Sequence, residues 1–148
     1  LDNSKKMISK EKHIERLLNE WKEHGKIIVG CDFDDTLRPW TLAEQEDCQD
    51  VINLLKNVRQ TGAYLVIFTA CKPDRYPEIL SYCGGLGLSV DSINENPIKL
   101  PYGNDRKIYA NIFLDDRAGL EQSCDILSTA MYQYRGWLKS NEKLDDIA

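Results

Sequence analysis

Apolar side chains recur at Ile14, Leu17, Leu18 and Trp21, the i, i+3, i+4, i+7 spacing of one helix face, and predict a helix over about 9–24 that Gly25 ends. The pattern then changes. Ile27-Ile28-Val29-Gly30-Cys31 is a continuous run of mostly apolar, β-favouring residues, as in a strand covered on both faces of a parallel sheet. It leads into Asp32-Phe33-Asp34-Asp35-Thr36-Leu37, and Leu37-Arg38-Pro39-Trp40 reads as a turn. Thr41 and Glu44 have capping-box spacing and predict a helix from near Leu42, with Cys48, Val51, Leu54, Leu55 and Val58 inward and Thr61-Gly62 at its end.

Ala63 to Phe68 is a second apolar run, closed by Thr69. Strand, helix and strand make a right-handed βαβ unit with parallel strands. A further helix is expected from about Pro73 to Cys83, a short strand over Leu88 to Ile93, a turn at Asn94-Glu95-Asn96-Pro97 and a loop over 99–106. Asn111-Ile112-Phe113-Leu114 forms another strand, ending at Asp115-Asp116. Leu120, Cys124, Leu127, Met131, Tyr134 and Leu138 then recur every three or four residues, the core face of a closing helix. The fold class is therefore α/β: a three-layer, Rossmann-like, mostly parallel sheet with helices on both faces, in a single domain over 1–148.

Composition narrows the function classes. With 148 residues, 42% hydrophobic and 29% charged, the chain is long enough for one sizeable core. A formal net charge of −5 does not favour nucleic acid as a partner, although it leaves room for a local phosphate site. Five cysteines without a Cys-x-x-Cys pair read as reduced thiols, and neither His13 nor His24 has a partner at metal-ligand spacing. With neither a membrane-span pattern nor a signal-peptide pattern, the expected location is cytoplasmic.

The chemistry sits at strand ends. Asp32, Asp34 and Thr36 follow the first strand, Thr69 the second and Asp115-Asp116 a later one, with Lys107 just upstream. Each alone is an ordinary turn residue. In a parallel sheet, however, all would reach the crevice at the strands' C-terminal ends, where open α/β sheets bind ligands. Asp32 and Asp34 lie two apart, so extended geometry would put them on one side. Carboxylates that close repel unless a proton or a cation such as Mg²⁺ relieves them.

These residues resemble the four motifs of the haloacid dehalogenase (HAD) superfamily of phosphohydrolases, in the family's order. Asp32-Phe33-Asp34-Asp35-Thr36-Leu37 resembles the Asp-x-Asp-x-Thr motif, Thr69 the second, Lys107 the third and Asp115-Asp116 the fourth. Asp35 stands where many members carry Gly. The segment Lys107 to Arg117 is also similar to that of small, capless members from bacteria and their phages.

The resemblance implies a Mg²⁺-dependent phosphatase acting on a phosphorylated substrate. Asp32 would be the nucleophile that forms an aspartyl-phosphate, and Asp34 the general acid and then base. Thr69 and Lys107 would hold the phosphoryl oxygens. Asp32, Asp34 (through its backbone carbonyl), Asp115 and Asp116 would form the metal site. Thr36 would order the loop after the nucleophile. Lys99 is the rival for the lysine role. Arg38, Lys72, Arg75 and Arg117 follow strand ends and are expected mainly as solvated charges, with Arg75 and Arg117 the best substrate contacts.

About 32 residues separate Thr36 from Thr69 and about 37 separate Thr69 from Lys107, too few in either gap for a second folded domain. The expectation is a capless enzyme with an open site, or one closed by homo-oligomerisation. Two other classes share the ingredients. A receiver-like signalling domain also uses Asp, Thr and Lys around Mg²⁺, but there the acidic pair precedes the phosphoacceptor. A HAD-like binding module would keep the site without turnover.

Overall fold

The computed structural model describes residues 7–101 and 108–141. Its elements run α1 (Lys10–His24), β1 (Ile27–Asp32), α2 (Gln45–Gly62), β2 (Ala63–Phe68), a 3₁₀ turn (Pro73–Arg75), α3 (Tyr76–Gly85), β3 (Ser92–Ile93), β4 (Ile112–Leu114) and α4 (Leu120–Ser140). The four strands form one parallel sheet in the order β3-β2-β1-β4. This is the expected α/β, Rossmann-like class, with β1 central and its apolar residues fully buried. Gly25 ends α1 with φ of 75°, as the spacing predicts, and the Ser9 side chain caps its start by accepting the Lys12 N–H.

Side-chain alternation along the strands divides the sheet. Ile27, Val29 and Cys31 of β1, with Ala63, Leu65 and Ile67 of β2, share one core with buried residues from all four helices. Trp21 of α1 stacks on Tyr134 of α4 at 5.1 Å, and its indole N–H donates to the carbonyl of Gly62 at 2.9 Å. Arg135 of α4 donates to Thr61 Oγ1 and to the carbonyl of Asn57, satisfying the C-terminal end of α2.

The other face of the sheet carries Ile28, Gly30, Tyr64, Val66 and Phe113. A Cβ on Gly30 would lie 2.9 Å from the Phe113 ring, so glycine there lets that ring lie against the strand. Among the described residues the cover on this side is the segment after β3. Pro97 and Pro101 interrupt that segment, and none of its described residues is helical. The Leu88–Ile93 strand is shorter than expected, reduced to Ser92–Ile93. No described helix is long and apolar enough to cross a membrane.

Gly62 joins α2 to β2 at φ of 134°, and a Cβ there would lie 2.5 Å from the carbonyl oxygen of Gly25. Both the conformation and the contact oppose any side chain. Gly62→Ala is expected to lower unfolding free energy by about 2–3 kcal/mol, read from the denaturant midpoint at unchanged m-value.

Candidate functional site

β1 and β4 are adjacent and parallel, so their C-terminal ends open at the same edge. Asp32 is the last residue of β1, and Asp115 and Asp116 follow β4 directly. One carboxylate oxygen from each of these three half-buried residues lies within 4.8 Å of the others. Thr36, wholly buried, stands between them. Its hydroxyl lies 3.2 Å from Asp32 Oδ2 and 3.3 Å from Asp116 Oδ1, and it accepts the backbone N–H of Asp116 at 3.2 Å. One hydroxyl proton serves both carboxylates in turn, so Thr36 ties the first motif to the end of β4.

Asp32 is the strained member. Burial, a hydrogen bond with the Asp116 carboxyl and the charge of Asp115 raise its pKa to about 7, against a backbone hydrogen bond that lowers it. A hard divalent cation fits this cluster. The donors are all oxygen, the spacing suits one ion with ligands at about 2.0–2.6 Å, and the ion's charge would relieve the carboxylates' repulsion. The neighbouring Cys31 stays a thiol, since burial, followed by the charge of Asp32, pushes its fully buried side chain well above the ordinary range.

The next two acids have different surroundings. The chain leaves β1 through a tight turn in which Leu37 and Arg38 donate to the Phe33 carbonyl, so strand alternation no longer relates Asp34 to Asp32. The Asp34 carboxylate points to Arg38, at 2.7 Å, and is not one of the three clustered carboxylates. Arg38 also pairs with Glu78 on α3 at 3.2 Å and lies between the rings of Phe33 and Trp40. It is an anchored ion-pair partner, which corrects its reading as a solvated charge.

Asp35 takes the left-handed conformation, φ 62°, at the position where the resembling family often has glycine. Its carboxylate accepts the N–H groups of Trp40, Thr41, Leu42 and Ala43 and the Thr41 hydroxyl, at 2.7–3.2 Å. Burial opposes its charge, but the Thr41 hydroxyl and the backbone N–H groups of Leu42, Ala43 and Trp40 hold it well below the usual carboxylate range. This ring of donors explains why α2 starts at Gln45 rather than near Leu42. Thr41 is spent on Asp35, and the helix is capped one turn later by Asp47, which accepts the N–H of Glu44 at 2.9 Å.

Thr69 follows β2 and is held by Asn94, whose side chain accepts its N–H at 2.9 Å and donates to its carbonyl at 2.8 Å. Asn94 also donates to the Tyr76 hydroxyl at 2.7 Å. This support for Thr69 was not read from the sequence; the signal was an Asn able to take positive φ just past a short strand. Lys107 lies outside the described residues. Lys99 borders a cavity of about 360 Å³ with Lys26, Ile28 and Tyr64, beside the beginnings of the strands rather than the carboxylate edge. Arg75 contacts Glu78 at 3.5 Å, and the backbone N–H of exposed Arg117 donates to Asp115 at 2.9 Å.

No family model and no curated protein matches the chain. Among solved structures, a conserved protein from Bacteroides thetaiotaomicron is similar at 23% identity and a TM-score of 0.52, over 62% of this chain and 77% of its own; that likeness concerns the fold alone. A haloacid dehalogenase-like hydrolase, yhjK from Bacillus subtilis, aligns at 22% identity over 51% of this chain and 39% of its own, with a TM-score of 0.28, too loose an overlay to carry an argument.

The raised pKa of Asp32 sets a pH dependence for the metal-free protein. Its folded pKa of about 7 exceeds the ordinary 3.8, so the folded state holds the proton more tightly, and stability is lost as pH rises between those values. At pH 8, Asp32→Asn is expected to raise unfolding free energy by on the order of 1 kcal/mol after solvent screening, and the gain should vanish below pH 4. Millimolar Mg²⁺ should raise the Tm of the wild type more than that of the variant. Separately, Asp35→Asn should speed hydrogen exchange at the amides of residues 40–43 and leave those of β2 unchanged.

Proposed function

We propose that this chain is a Mg²⁺-dependent phosphomonoester hydrolase of the haloacid dehalogenase type, working through an aspartyl-phosphate on Asp32. The observation that carries the reading is the meeting of Asp32, Asp115 and Asp116 at the C-terminal ends of two adjacent parallel strands. The order of the motifs along the chain supports it, and also weighs against a receiver domain.

Asp32, Asp115 and Asp116 would hold the cation, with the Asp34 carbonyl. Its charge would offset repulsion between an anionic nucleophile and an anionic phosphate. An Asp32 carboxylate oxygen attacks phosphorus, the P–O bond to the leaving group breaks, and Asp34 gives that oxygen its proton. Asp34 then takes a proton from water as the water attacks the aspartyl-phosphate, releasing phosphate and restoring Asp32. Since the Asp34 carboxylate accepts from Arg38 in this structure, the reading requires that contact to open during turnover.

The Thr69 hydroxyl accepts the Cys71 N–H at 3.3 Å and keeps its own proton to donate to a phosphoryl oxygen. Lys107 would add a compact positive charge. Arg75 and Arg117 would meet the rest of the substrate at an open, capless mouth. The expected setting is cytoplasmic.

A panel of phosphomonoesters, assayed with Mg²⁺ and with chelator, tests the proposal. Turnover should require the metal and fall by at least about 10³-fold in Asp32→Asn. An unchanged rate in that variant removes the nucleophile. A phosphoprotein that persists for minutes in the wild type points instead to a signalling domain.

A further inference from the structure

Where β1 and β2 begin, at the end of the sheet opposite the carboxylates, lies a cavity of about 360 Å³. Ile28 of β1 and the Tyr64 ring of β2, register partners on adjacent strands, line it, and Ile98 and Leu100 from the segment after β3 complete an apolar interior. Its size and lining suit a small organic ligand, since such sites are concave, mostly apolar and furnished with a few converging polar groups. Here the polar groups are His24, Lys26 and Lys99.

Charge sets this cavity apart from the rest of the molecule. The chain is acidic, with 24 Asp and Glu against 19 Lys and Arg, yet among the described residues no acidic side chain lines the cavity. Neither Lys26 nor Lys99 forms an ion pair with a described residue. Lys26 lies instead over the Tyr64 ring at 4.6 Å, so its ammonium is held against the apolar lining. Two lysines that no described carboxylate neutralises, beside a low-dielectric surface, give a positive potential that draws an anion.

The two features together select the ligand. An inorganic anion would leave the apolar lining unused, and a neutral apolar molecule would leave the lysines unused. A long polyanion would exceed the cavity and meet the protein's net charge of −5.

We propose that this cavity is a second ligand site, for a small amphipathic anion with a flat apolar body against Ile28, Tyr64 and Ile98 and a carboxylate, sulfonate or phosphate group beside Lys26 and Lys99. It stands independently of the hydrolase reading. Ile28 and Asp32 are four residues apart on one strand, about 13 Å, so a ligand here does not touch the carboxylate cluster.

The test uses 8-anilinonaphthalene-1-sulfonate, which fluoresces in apolar sites, and N-phenyl-1-naphthylamine, the same ring system without the sulfonate. The wild type should bind the sulfonate saturably, one per chain. Lys26→Gln/Lys99→Gln should raise its Kd about tenfold and change that of the neutral dye by less than about twofold. Both lysines are exposed, so an unchanged Tm is expected to confirm that the variant folds. Lys12→Gln/Lys72→Gln removes the same charge from exposed positions outside the cavity and should leave both affinities unchanged. Ile98→Ser should weaken both dyes.

Absence of saturable binding, or several dyes per chain, overturns the proposal. So does an equal loss for the two dyes in Lys26→Gln/Lys99→Gln, an equal loss in the Lys12→Gln/Lys72→Gln control, or no effect of Ile98→Ser. Sulfonate binding that changes with Mg²⁺ or in Asp32→Asn would put the dye at the carboxylate edge and overturn it as well. Failure of every phosphomonoester to turn over, with the lysine-dependent binding intact, would remove the hydrolase reading and leave this site standing.

Discussion

Mutual repulsion among Asp32, Asp115 and Asp116 is the constraint around which this molecule is built. Oxygens of three carboxylates within 4.8 Å of one another do not settle there unaided; the sheet brings them together. β1 is buried along its apolar length and pairs with β4 from Val29 to Cys31, which places its last residue beside the residues that follow Leu114. Burial of the strands supplies free energy that the cluster alone would not. The Asp32 pKa of about 7 is the local sign of that cost, and a cation or a shared proton removes it.

Three acids within four residues have three different surroundings, and backbone geometry decides which. Asp32 ends a strand and faces its rivals. Asp34 sits in a turn that directs its carboxylate to Arg38. Asp35, forced to positive φ, turns into the donor ring of residues 40–43 and stays charged. The chemical type is the same in each case. The partners, repulsive carboxylates, a guanidinium and peptide N–H groups, set the outcome.

Much of this was legible in the sequence because burial leaves strong patterns. The continuous run before Asp32 and the one before Thr69 are strands where expected, and the stripe of Ile14, Leu17 and Trp21 is a helix face. The misreadings share a cause. Thr41 looked like a helix cap because local spacing says so, but Asp35, six residues earlier, competes for its donors and wins with several hydrogen bonds at once. Arg38 looked like a free charge because its pairing with Asp34 depends on a turn that periodicity does not record, and its second partner, Glu78, is 40 residues away. Periodicity records which face is buried. It does not record which polar groups find each other across a turn, and Thr36 joining two strand ends, or Asn94 holding Thr69, are contacts of that kind.

The same turn explains why the site can be both rigid and open. The 38–43 loop that follows Asp32 is held at one end by the Asp34–Arg38–Glu78 ion pairs and at the other by Asp35. An exposed loop without such anchors would lose order at each binding event and regain it at a cost in affinity. Here a charged side chain buried under the loop takes the place of a core. Even its exposed aromatic, Trp40, rests on the Arg38 guanidinium at 5.2 Å. A small α/β domain can in this way order a loop beside its carboxylate edge through ion pairs and peptide donors drawn from its own turn.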